Sequence, residues 1–232
     1  MCVGEQAEFI PRFKEGIPGC IIIHKCTSIR HSLSAIKCGA DIISLDGFEC
    51  AGHPGEDDVG NFVLQAVGAQ KLTVPYICSG GVTTGAQLAA ALALGACGVN
   101  VGTAFCISQE CIWPESFKQR VVESTEVDTY MSMRPLKNSS RIFKNGTAME
   151  LAEIERANWD NMTFEKVATL MAGTRGRQAE KDGDADAGTF AAGQGIGLID
   201  DVPTCAEVMD RMMEGAEKTL TERMAGLMTP RL

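Results

Sequence analysis

No uninterrupted apolar run in this chain approaches the ~20 residues that a membrane-spanning helix needs, so no membrane partner is expected. The opening residues, MCVGEQ, lack both the basic and the apolar region of a secretory signal peptide. None of the ten cysteines forms a Cys-x-x-Cys pair, and most lie within apolar segments. That pattern excludes a secreted disulfide framework and reads as small buried hydrophobes in a reduced cytosol, which predicts a cytoplasmic protein. Positive charge is scarce: 21 Lys+Arg stand against 30 Asp+Glu, a net charge of −9, so nucleic acid is not an expected partner. The His, Cys and carboxylate residues show no converging spacing, so no metal site is expected. What remains, with 45% hydrophobic residues and a mean hydropathy of +0.01 over 232 residues, is a globular domain of generous size or a domain with a small cap.

The first half repeats a unit of a short β-branched run, a polar or Gly-containing turn and a helical stretch. Residues 19–24 (GCIIIH), 41–45 (DIISL), 74–78 and 98–101 read as strands. Residues 28–38, 61–71 and 85–94 read as helices, closed by Gly39, Gly68 and Gly95. The strands are continuous apolar runs rather than alternating ones, which predicts an α/β fold with a parallel sheet covered by helices. Four such units make half of an eight-stranded barrel or most of a doubly wound sheet. After Phe105 strand signals become rare and helical patterns dominate, at 115–123, 147–157, 164–171 and 203–224. Pro203 suits the first turn of the last of these. Residues 175–188, rich in Gly, Asp and Lys, read as a mobile loop.

Three places carry chemistry. Ser79-Gly80-Gly81 ends one strand and opens toward a helix, and Gly102-Thr103 ends the next. A single Gly-Gly is most simply a tight turn. Two such turns on adjacent parallel strands fit a phosphate cup, because glycine lets backbone N–H groups approach an anion. The second place is the loop DGFECAGHPGEDD from Asp46, where His53 stands between Gly52 and Gly55. There it could serve as a general base, or it could simply hydrogen-bond backbone in a surface loop. Glu56, Asp57 and Asp58 read as a solvated run and helix N-terminus rather than as ligands. The third place is Lys25, after the first strand, which either neutralises a phosphate or anionic ring or is a solvated loop lysine. Gln194, in AGQG, either contacts a ligand or stabilises a turn.

Taken in order, HKCTSIRH from His24, DGFECAGHPGEDD from Asp46, SGGVTTGAQLAAALALGACGVNVGTAF from Ser79 and GQGIGLI from Gly193 resemble the nitronate monooxygenase family, formerly called 2-nitropropane dioxygenases. The resemblance implies an FMN-containing TIM barrel with a helical cap, akin to flavin-dependent enoyl-acyl carrier protein reductases. It divides the chain into residues 1–110 as the C-terminal half of the barrel, 111–193 as a mostly helical cap or insertion, and 194–232 as a C-terminal helix returning to the barrel. It implies that Gly80, Gly81, Gly102 and Thr103 hold the FMN phosphate, with Ser79 and Gly52 beside them. Lys25 then lies near the flavin, Asp46 at the ribityl side, and Gln194 approaches from the cap. His53 stands over the flavin and acts on an anionic nitronate or takes the proton alpha to a nitro group, and oxygen completes the conversion to a carbonyl compound and nitrite. The physical logic agrees, since the cofactor brings the redox chemistry and the protein a phosphate anchor, a base and a dry pocket.

The family pattern also implies about four strand–helix units ahead of Ile21, whereas some twenty residues stand there, with 1–4 expected as the stub of a strand. A partial (β/α)8 barrel has two open sheet edges, which predicts self-association as a homodimer or aggregation. The alternatives carried with the main reading are an enoyl reductase-like flavoenzyme and a non-catalytic half-barrel.

Overall fold

The computed structural model describes residues 3–228. Helix α1 (Val3–Gly16) precedes four β/α units: β1 (Ile23–Cys26), α2 (Ile29–Lys37), β2 (Ile42–Asp46), α3 (Asn61–Lys71), β3 (Tyr76–Ser79), α4 (Gly85–Ala93), β4 (Val99–Asn100) and the short α5 (Thr103–Cys106). The four strands are all parallel and lie in chain order, with Lys25 beside Ser44, Asp46 beside Ser79, and Ser79 beside Asn100. The expected α/β class with a parallel sheet is therefore present.

Two of these helices, α2 and α4, start at side-chain caps. Ser28 caps α2 by accepting from the His31 amide. Thr84 and Gln87 form a reciprocal capping box at the head of α4. The apolar faces of these helices meet Ile43, Leu45, Tyr76 and Cys78 of the sheet. Met212 and Ala216 of the late helix α9 (Cys205–Lys218) join that core.

Between α5 and α9 the chain forms α6 (Glu115–Val122), β5 (Thr129–Ser132), β6 (Ser140–Phe143), α7 (Gly146–Asn158) and α8 (Gly173–Asp182). A second core gathers Phe117, Phe143 and Phe190, with the Phe117 and Phe190 rings stacked at 4.1 Å. After α9 a π-helical segment (Thr219–Met224) leads into the short α10 (Ala225–Met228). No helix among the described residues is long and apolar enough to cross a membrane.

Several expectations are corrected. Strand β1 begins at Ile23, so Lys25 lies inside the strand, and the earlier apolar residues Ile21 and Ile22 are exposed or half-buried. Gly68 is within α3, pressed against Leu45, rather than at its end. Gly39 and Gly95 do follow their helices, with φ of +104° and +102°. Residues 164–171 hold only a single 3-10 turn (Phe164–Lys166). The apolar spacing there reports burial of Val167 and Leu170, in a segment too short to sustain an α-helix.

The expected mobile loop at 175–188 begins as α8, whose Arg, Gln, Ala, Glu and Lys are good helix formers, and stops at left-handed Gly183. Pro203 precedes the N-cap Thr204 instead of entering the helix. The span 111–193 also holds the antiparallel pair β5–β6, whose four-residue strands give too little periodicity to register. Val3 and Gly4 belong to α1 rather than to a strand stub, and Met1 and Cys2 lie outside the described residues. Of the described cysteines only Cys26, Cys50 and Cys78 are buried, and Cys97 is exposed.

Candidate active site

The sheet presents a row of polar groups at its C-terminal edge. Period-two alternation in β1 buries His24 and Cys26 and sends Lys25 to the opposite face. Lys25 Nζ there meets Asp46 Oδ2 at 2.7 Å, and the Asp46 side chain is fully buried. Ser44 Oγ donates to Asp46 Oδ1 at 3.4 Å, and Asn100 Nδ2 donates to Ser44 Oγ at 3.5 Å. Asp46 is therefore the buried anchor of Lys25, and Lys25 is the group that reaches open space.

A small cavity of about 110 Å³ lies beyond this row, lined by Lys25, Ser79, Gly80, Gly81, Gly102 and Thr103 among others. The backbone amides of Gly80, Gly81, Gly102 and Thr103 donate to no acceptor among the described residues. Unpaired amides beside a lysine in a concave site are what an anion requires. The turn itself is held from behind. Asn61 Nδ2 donates to the carbonyls of Ser79 and Gly80 at 2.9 and 2.6 Å, and Gln87 Nε2 donates to that of Gly81 at 2.8 Å. Glu49 accepts from the Asn61 amide with both carboxylate oxygens at 3.0 Å, closing the α3 N-terminus.

Thr103 Oγ1 accepts from the Gly193 amide at 3.0 Å, which ties the late AGQG turn to the cup. Gln194 contributes its backbone, donating to the Glu49 carbonyl at 3.0 Å, and its neighbour Gly195 lines the cup in place of the Gln194 side chain.

A larger cavity of about 550 Å³ adjoins the cup and shares Lys25 as a wall. All three histidines of the chain, His24, His31 and His53, line it, together with Glu56 and Ser139. His53 Nδ1 lies 2.9 Å from the Ser139 carbonyl. A carbonyl only accepts, so the bond is made by Nδ1–H, and it favours the neutral tautomer whose lone pair is on Nε2. The histidine thus bonds backbone, as one of the two sequence readings has it.

Gly52 lines neither cavity. Its amide and carbonyl pair with Arg141 of β6 at 3.0 and 2.6 Å, which fixes the residue just before His53. Buried Arg141 also donates to the Phe48 carbonyl at 2.9 Å and sits 4.4 Å from the Phe48 ring centroid, and burial lowers its pKa. Burial also raises the Cys50 thiol beside the cup, against the pull of Lys25 and Arg141, and pushes Cys78 behind it up to about 12. Both thiols are thereby kept neutral and unreactive.

Glu56, Asp57 and Asp58 are all exposed, as a solvated run is, and two of them are also tied to the facing loop. Glu56 accepts from Ser139, and Asp58 accepts from Arg134 Nη2 with both oxygens at 3.0 Å. Among the described residues no group of three or more His, Cys, Asp or Glu side chains is placed to hold a metal ion. Sequence reasoning missed Asn61, Gln87, Ser139 and Arg141. Only Gln87 had a local signal, the Thr-x-x-Gln capping pattern. The other three act across the fold and have none.

The family model described as nitronate monooxygenase matches residues 6–215. A 5-hydroxy-7a-methyl-1-oxo-octahydro-indene-4-carboxyl-CoA dehydrogenase of Rhodococcus jostii is 28% identical over 93% of this chain and 69% of its own length. A Bacillus subtilis protein named "Probable nitronate monooxygenase" is 28% identical over 84% of this chain and 57% of its own. Among solved structures, FabK from Thermotoga maritima superposes with a TM-score of 0.85 at 28% identity, covering 96% of this chain and 68% of that one. The nitroalkane oxidase of Streptomyces ansochromogenes, at 24% identity, shares the fold with a TM-score of 0.76 over 93% of this chain and 62% of its own.

Proposed function

The chain belongs to the nitronate monooxygenase family, and from that premise we propose that it oxidises alkyl nitronates with molecular oxygen, giving a carbonyl compound and nitrite, with FMN as cofactor in the cytoplasm. On this reading the four β/α units are an arc of a (β/α)8 barrel. The unpaired amides of Gly80, Gly81, Gly102 and Thr103 suit the phosphate of FMN, and at Gly102 an added Cβ would meet nothing within 4 Å, so the cup is open on that side. When bound, the flavin supplies the electron acceptor for the substrate and the means of reducing oxygen.

The chain's own residues do the rest. The observation that carries the proposal is the 2.9 Å approach of His53 Nδ1 to the Ser139 carbonyl, which selects the Nδ1–H tautomer, while the residue lines the larger cavity. Its Nε2 lone pair takes the proton alpha to a nitro group, or as imidazolium it pairs with a nitronate already ionised. Lys25, held by buried Asp46, places positive charge where the two cavities meet, so the anionic part of a substrate is drawn toward the cofactor end. Asn61 and Gln87 keep the phosphate turn in place.

Purified chain supplied with propionate 3-nitronate and oxygen should consume oxygen and release nitrite, carry FMN by its visible spectrum, and lose turnover but not flavin in His53→Ala. NAD(P)H-driven reduction of an enoyl thioester without nitronate oxidation would replace this proposal by the second reading, an acyl-thioester oxidoreductase. That reading draws its support from the Rhodococcus dehydrogenase, whose name specifies a CoA derivative.

A further inference from the structure

We propose that Glu56 is a positioning residue for His53, acting through Ser139. The inference rests on the reading of His53 as the group that handles the proton.

Ser139 is almost wholly buried, and its polar atoms are divided between two residues of the opposite loop. Its amide donates to Glu56 Oε1 at 2.8 Å and its hydroxyl to Glu56 Oε2 at 2.7 Å, while its carbonyl accepts from His53 Nδ1 at 2.9 Å. The carboxylate thus holds the residue that selects the tautomer of the imidazole. A free histidine side chain favours the Nε2–H form, so an Nδ1–H form has to be imposed by a fixed acceptor. If Glu56 is removed, a buried N–H and a buried hydroxyl lose their partner. Ser139 then turns to find others, and its carbonyl moves with it.

The surroundings bear the marks of a held geometry. Among the described residues, the non-glycine ones with left-handed backbone, Asp58, Met133 and Lys137, all lie in the two loops that meet here. Such conformations persist where neighbouring bonds over-determine them, and they gather at functional sites. Asp58 is itself tied to Arg134, the residue after Met133, and Gly52 is paired with Arg141, two residues beyond Ser139. A loop that served only to cover the sheet would need fewer ties across to one histidine.

The test reads the ring nitrogens directly. In the full chain with its cofactor bound, 1H–15N spectra of the imidazoles should show one histidine in the Nδ1–H form, identified by its loss in His53→Ala. In Glu56→Ala that signature should give way to Nε2–H or to a mixture. The kcat for nitronate should fall about tenfold at little changed KM, a part of the roughly 100-fold that a 1 Å misplacement can cost. Glu56→Gln should restore both, since its Oε1 accepts from the Ser139 amide and its Nε2 donates to the hydroxyl.

An unaltered ring signature in Glu56→Ala overturns the proposal whatever turnover does, and a changed signature with undiminished kcat overturns the link to catalysis. Retained turnover in His53→Ala would overturn the reading of the site itself, an outcome separate from the spectra of Glu56→Ala.

Discussion

Gly80 and Gly102 line the same small cavity, yet a methyl group would meet different things at each. At Gly80, with φ +93°, it would come 2.6 Å from the Cys50 Cβ and 2.9 Å from Cys50 backbone. At Gly102, with φ −114°, it would enter open space. Gly80→Ala is therefore expected to unfold the turn whether or not ligand is present, at a cost of roughly 2–3 kcal/mol from overpacking and the strained backbone. Gly102→Val should leave the melting temperature of cofactor-free protein within a degree or two and lower flavin retention at least tenfold. Equal flavin content in Gly102→Val and the parent, measured by absorbance after gel filtration, would remove the cup from the binding site. The residues that line the cup were legible because glycine pairs at strand ends have a local signature. The residues that hold them were not, because Asn61 and Gly80 meet only after two strands and a helix have packed.

At the scale of elements, one polar side chain ties the hairpin β5–β6 to α7, beside the apolar cluster that Met133 and Ile142 share with Ala148 and Leu151. Glu155 is 1% exposed, accepts from the Tyr130 hydroxyl at 2.5 Å and from the left-handed Met133 amide at 2.6 Å, and so sets the turn that delivers Ser139. Burial and this carboxylate together push the Tyr130 hydroxyl up from its ordinary value. Glu155→Ala should cost about 2–3 kcal/mol, since it orphans two buried donors, and lower Tm by roughly 5–10 °C. Tyr130→Phe should cost only about 1 kcal/mol. Equal melting temperatures by calorimetry would mean that water takes over both bonds. In the first half, elements were legible because each β/α unit repeats the same local logic of caps and closing glycines, as at Ser28 and Gly39. In the second half, β6 is buried on both faces and α8 is dense in glycine and charge. Tertiary packing decides β6, while in α8 the glycines and charges hide a run of good helix formers.

For the molecule as a whole, acid stability should fall in two separate ranges of pH. His24 is buried with Nε2 lacking a partner, and burial lowers its pKa from 6.5. As pH drops below about 6.5 the unfolded chain therefore takes up a proton that the folded chain refuses, and stability declines. The carboxyls of Asp186, bonded to Arg120, and Asp201, bonded to Arg211, are held below their usual 3.8. Their contributions are intact above that value and are lost as pH falls through the lowered ones. Urea midpoints measured from pH 7.5 down to about pH 2 should show both declines, and His24→Leu should flatten the upper one alone. An unchanged upper slope in that variant would assign the decline to another group. The cup also has a place in the order of synthesis. Its first turn, at Ser79–Thr84, leads into α4, whose Gly85 packs so closely on α9 that a Cβ there would lie 2.4 Å from the Ala216 amide nitrogen and the Met212 carbonyl. Gly195 closes the same turn from the other side. On the ribosome, a chain that has already made its glycine turns has no finished site until more than a hundred further residues have followed. Premature termination anywhere before α9 thus leaves the glycine turns with their Asn61 and Gln87 bonds but without α9 packed on Gly85, and on the proposed reading flavin capture marks chains whose synthesis has reached that helix.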